Sequence, residues 1–202
     1  MTAAMAHELE RAMEKLRSLH DGDLGVVEVV ACGARAIPAL RALLFEREPS
    51  GLFETRCRAV QALGALDARD VLIEYLAMPH EAADPVEQLG NDAVLNAVAR
   101  AVAKYRDEQV FQLLRHLAGR RLLPGVVGGL GSFNRQEAIP YLVDSLAEDE
   151  CRPIAENALM KFGPRARQAL LAIASAPGAS SESPSQTRQR RSALELLAVL
   201  RP

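Results

Sequence analysis

A four-residue frame recurs six times along this chain, each time at the end of a segment with helical period: Val29-Val30-Ala31-Cys32, Leu63-Gly64-Ala65-Leu66, Val102-Ala103-Lys104-Tyr105, Leu130-Gly131-Ser132-Phe133, Leu159-Met160-Lys161-Phe162 and Leu197-Ala198-Val199-Leu200. Its second position, taken as a marker, falls at residues 30, 64, 103, 131, 160 and 198, in steps of 28 to 39 residues. Between markers lies a second apolar segment, at 37–44, 71–76, 110–117, 138–146 and 167–174. Each repeat therefore reads as a pair of helices too small to bury its own apolar face. Periods in this range belong to solenoids, in which each repeat completes the core of the next. The expectation is an all-α chain, a right-handed α-α superhelix of about six helical pairs, forming one domain over residues 1–202.

Composition bears on this only through what it lacks. Trp is absent and aromatic residues make up 4% of the 202 residues, so packing falls to Ala, Leu and Val, as in closely stacked helices. The first 20 residues place Met5, Leu9, Met13 and Leu16 on one face among Glu8, Arg11, Glu14 and Lys15, an amphipathic helix expected to cap the array. Residues 188–202, headed by Arg188, Arg190 and Arg191, are expected to cap the other end. Two stretches rich in Pro, Ser and acidic residues, 78–92 and 175–187, carry no helical period and read as inserted loops, the second of them flexible.

A net charge of −2 gives no global field for nucleic acid or an acidic membrane, which argues against both as partners. The amphipathic start has no uninterrupted apolar core of the signal-peptide kind, and no apolar run is long enough to span a bilayer. Cys32, Cys57 and Cys151 are odd in number and without paired spacing, the pattern of reduced, buried thiols in a cytoplasmic protein. His7, His20, His80 and His116 are scattered, and no nucleophile-base or metal-ligand spacing joins them, so no catalytic residue, metal site or cofactor is expected. The run Pro124 to Ser132 is rich in glycine but follows a helix and has no phosphate-binding Lys. It has two readings, close approach of two helices or a low groove floor kept by Gly125, Gly128 and Ser132.

The stretches 55–76, 123–146 and 150–173 resemble HEAT repeats of the bacterial HEAT-like kind. The resemblance implies an Arg eight residues before the marker that ties neighbouring repeats together. Arg56, Arg152 and Arg190 occupy that position, with Glu54, Asp149 or Glu150 as expected partners, whereas Gly22, Leu95 and Leu123 stand there in the other repeats. It also implies that the marker-bearing helix lines a concave face. On that face it places Arg58, Gln61, Arg100, Lys104, Asn157 and Lys161 as the partner-binding stripe, with Arg191 and Glu195 beside them. The function so implied is a non-catalytic scaffold binding a partner protein. Two other classes share such repeats, nucleic-acid binders related in fold to the HEAT-like DNA glycosylases and subunits resembling the phycobilin lyases. The scarcity of aromatic residues removes the stacking groups that the first would use.

Overall fold

The structure, a computed structural model, describes residues 3–46, 53–175 and 183–200. They are overwhelmingly helical, and no strand occurs among them. The chain divides into two compact units, Met1–Val102 and Ala103–Pro202.

The first unit holds α1 (Ala3–Arg17), α2 (Gly22–Ala31), α3 (Ile37–Phe45), α4 (Phe53–Ala65), α5 (Arg69–Leu76) and α6 (Pro85–Val102). Marker helices α2, α4 and α6 pack side by side, α1 lies against α2, α3 against α4, and α5 against α4 and α6. The core between them is aliphatic, with Leu16, Leu40, Leu44, Leu63, Leu72 and Leu76 fully buried. The second unit holds α7 (Glu108–Ala118), α8 (Pro124–Phe133), α9 (Ile139–Asp144), α10 (Arg152–Phe162), α11 (Arg167–Ala174) and α12 (Pro184–Val199). Here α8, α10 and α12 carry the markers, α8 and α12 each pack against α10, and Phe111, Leu114, Leu130, Leu142, Leu146 and Leu159 fill the core.

The frame read from the sequence coincides with a backbone feature that nothing in the side chains required. Among the described residues five have positive φ: Gly33, Asp67, Arg106, Asn134 and Gly163. Each lies three positions after a marker, where the marker helix ends and the chain turns toward the second helix of the pair. Gly, Asn and Asp tolerate this left-handed turn best. Arg106 is the exception among the five, with φ 49°.

Two expected loops prove to be partly helical. In the stretch 78–92, α6 begins at Pro85, and the Asp84 carboxylate accepts the backbone N–H of Glu87 at 3.1 Å. In the stretch 175–187, α12 takes in Pro184–Thr187 because Ser183 and Gln186 form a reciprocal cap: the Ser183 hydroxyl accepts from Gln186 N, and the Gln186 side chain accepts from Ser183 N. The expected C-terminal helix of 188–202 thus starts earlier, and the expected N-terminal helix of 1–20 is α1, ending at Arg17. Residues 176–182 of the expected flexible loop lie outside the described residues.

Leu63 and Leu159, in the marker frames of α4 and α10, have no exposed surface. Truncating either to Ala is expected to cost about 2–5 kcal/mol, the range for cavities in packed cores. Thermal melts of the two variants check the register. Neither side chain would matter if the frame pointed them outward.

Candidate functional site

Two of the three repeat arginines, Arg56 and Arg152, tie their helices to neighbouring elements. On α4, Arg56 donates to the carbonyl of Leu44 at the end of α3 (3.2 Å), to Tyr75 Oη on α5 (2.6 Å) and to Asn91 Oδ1 on α6 (3.1 Å). On α10, Arg152 repeats the first contact by donating to the carbonyl of Leu146 at 3.0 Å, and it pairs with Asp149 as expected. That pairing holds the Asp149 carboxyl below the usual range, with Arg188 adding to it from 3.2 Å. Glu54, however, pairs with Arg58 rather than Arg56. Leu95 and Leu123, standing at the repeat-Arg position, are buried apolar contacts.

A second set of ties comes from arginines in the turns between the helices of a pair. Arg35 donates to Glu8 on α1 at 2.8 Å, Arg135 pairs with Glu108 on α7, and Arg165 donates to the carbonyl of Asn134 at 3.2 Å and to its side-chain oxygen. Each reaches back to the preceding repeat. Their recurrence four or five positions after the marker was available in the sequence but was not read as a pattern.

Of the six stripe residues, one is misplaced. Arg58 is 8% exposed and faces inward. It donates to the carbonyl of Ser18 at 2.8 Å and to Glu54 at 2.8 Å, closing the C-terminal end of α1. Its guanidinium lies over Gly22, where a Cβ would come within 2.0 Å of it. A glycine at the repeat-Arg position of one repeat thus makes room for an arginine of the next. Gln61, Arg100, Lys104, Asn157 and Lys161 are exposed. Arg100 bends back to the carbonyl of Asn96, and the Lys104 ammonium sits 4.9 Å from the ring of Tyr105. Arg191 and Glu195 are exposed on α12.

Asn157 and Lys161, one turn apart on α10, are brought to a cleft of about 500 Å³ between α8 and α10. Opposite them stand Gly128, Gly131 and Ser132 of α8, and the rim is completed by Asn134 and Arg106. Both readings of the glycine run apply here. A Cβ on Gly131 would come within 2.7 Å of Ala158 Cβ, so the helices approach closely, and Gly128 and Ser132 keep the floor low. Gly125 is buried beneath and does not line the cleft.

The charge of the cleft has one sign. Arg106 and Lys161 supply two cations, Asn157 and Asn134 supply amides, and no carboxylate lines it. Because Arg165 occupies the side-chain oxygen of Asn134, that residue's N–H groups remain as donors. Such a rim suits a carboxylate or another oxyanion. Neither cysteine lines the cleft, and burial pushes the Cys151 thiol up to about 11 and raises that of Cys57 too, while the Ser132 hydroxyl within the cleft donates to the carbonyl of Gly129 at 2.7 Å. Among the described residues no group of three His, Cys, Asp or Glu side chains is placed to hold a metal, and no helix is long and apolar enough to cross a membrane. No protein-family model matches this chain, and no curated protein matches its sequence.

Proposed function

We propose that the chain is a non-catalytic scaffold of HEAT-like helical pairs, an α-α superhelix of about six, that binds an acidic segment of a partner protein in the cleft between α8 and α10. The observation that carries this is Arg106. At the turn position three residues after a marker the other four residues are Gly, Asp, Asn and Gly, which bear a left-handed backbone cheaply, whereas Arg106 has no such ease. Holding it there costs stability, and strain of this kind concentrates where a side chain is needed for binding. The cost places a guanidinium on the rim of a cleft that also carries Lys161 and Asn157. Side-by-side packing of marker helices within each unit and the ties made by Arg56 and Arg152 support the solenoid reading.

No aromatic residue lines the cleft, so bases would find no stacking platform there, and a peptide carboxylate is the better match. The test compares Arg106→Asn and Lys161→Glu with the unaltered chain, using a fluorescent Asp/Glu-rich peptide and a DNA duplex as probes. Arg106→Asn is expected to melt at the same or a higher temperature, gaining up to about 1 kcal/mol from relief of the turn. Both variants are expected to bind the peptide at least about tenfold more weakly. Binding of the duplex in preference to the peptide would transfer the cleft to nucleic acid. Peptide binding undisturbed by both variants would remove it from the cleft.

A further inference from the structure

A second groove, in the first unit, has the opposite charge. It runs between α1 and α3, with a volume of about 790 Å³. One wall is the stripe Ala6, Leu9, Met13 of α1, and the other is Ala39, Ala42, Leu43 of α3. The alanines keep the walls low, and Met13 and Leu43 form a nearly buried floor. Glu10, Glu14 and Glu46 stand along the rim, and among the described residues Arg17, which lies 3.9 Å from Glu46, is the one cation lining it. Glu14 has no ion-pair partner among the described residues.

The groove follows α1 from Ala6 to Arg17, three turns or roughly 16 Å of helix axis. Both walls are helices whose backbone groups are already bonded within themselves, so an extended peptide laid in it would find no main-chain partners. A helix satisfies its own backbone and needs only an apolar face. We infer that this groove takes an amphipathic helix of about three turns from another protein, with aliphatic residues on the face that enters the groove and Lys or Arg along the edge beside α1 to meet Glu10 and Glu14. The arginine-headed helix α12 of a second copy is a poorer occupant, because Arg188 is committed to Asp149.

The test uses the full chain and three synthetic helical peptides of about four turns: leucines on one face with lysines flanking, the same with glutamates flanking, and a scrambled lysine peptide. Anisotropy titrations are expected to show the first bound at least about tenfold more tightly than the other two, with affinity falling as salt is raised. Glu10→Lys combined with Glu14→Lys, both exposed positions, is expected to abolish that preference, and Ala42→Phe, filling the groove at an exposed position, is expected to weaken binding without lowering helicity. Equal binding of the three peptides, absence of binding at about 1 mM, or indifference to both sets of substitutions would overturn the inference. Self-association of the free chain that the charge reversal abolishes would overturn it too, by making a second copy the occupant.

Discussion

Arg58→Glu is expected to lower the stability of the first unit by about 3–5 kcal/mol, enough to move its melting temperature by roughly 10 °C or more. The substitution puts a carboxylate where the guanidinium of Arg58, a residue 8% exposed, now donates to the carbonyls of Leu16 and Ser18 and to Glu54. Those acceptors would lose their donor and face a like charge. Arg100→Glu serves as the comparison, since Arg100 is exposed and its bond to Asn96 lies on its own helix, so about 0.5 kcal/mol or less is expected. Circular dichroism melts of the pair distinguish an interior arginine from a member of a binding stripe, and equal melting would return Arg58 to the surface.

Gly25→Val is expected to be at least as damaging, costing about 3 kcal/mol or more, because the atom it adds has nowhere to go. A Cβ on Gly25 would stand 2.2 Å from the backbone nitrogen of Leu16 and 2.5 Å from its Cα. Side chains can rotate away from a clash of that kind, but the backbone of a neighbouring helix cannot, so α1 would have to separate from α2. Gly64→Ala is the control: its Cβ would meet Ala101 at 3.6 Å, an ordinary contact, and replacing a glycine in the last turn of α4 is expected to be neutral or to gain up to about 1 kcal/mol. If Gly25→Val melts with Gly64→Ala, the helix crossing at Leu16 is looser than described.

Periodicity was enough to place the helices, because the marker frame and the apolar segments between markers are local patterns. It fails where a proline reads as a breaker but opens a helix. Asp84-Pro85 and Ser183-Pro184 are both a capping residue followed by proline at the first helical position, where the missing N–H costs nothing. The turns three residues after the first five markers hold Gly, Asp, Arg, Asn and Gly, a recurrence that helical periodicity does not bring out. Arg58 was not legible from its own segment. Its burial depends on the absence of a side chain at Gly22, 36 residues earlier, and on carbonyls at the end of α1. Helical spacing alone cannot tell an arginine that faces solvent from one that faces a gap left by a neighbour. The cleft at α8 and α10 was half legible, through Asn157, Lys161 and the glycine run, and its rim residue Arg106 was not, since it comes from outside the marker helices.

The ties that reach from repeat to repeat also bear on how the chain finds its structure. Arg35 reaches back 27 residues to Glu8, Arg56 forward 35 to Asn91, and Gln189 back 46 to the carbonyl of Val143. Each closes a loop of 27 to 46 residues, short beside the 202 of the chain. The entropy of closing a loop grows only with the logarithm of its length, and here that length is set by the repeat rather than by the chain. Within each unit the conformational search is therefore divided into local steps of similar size.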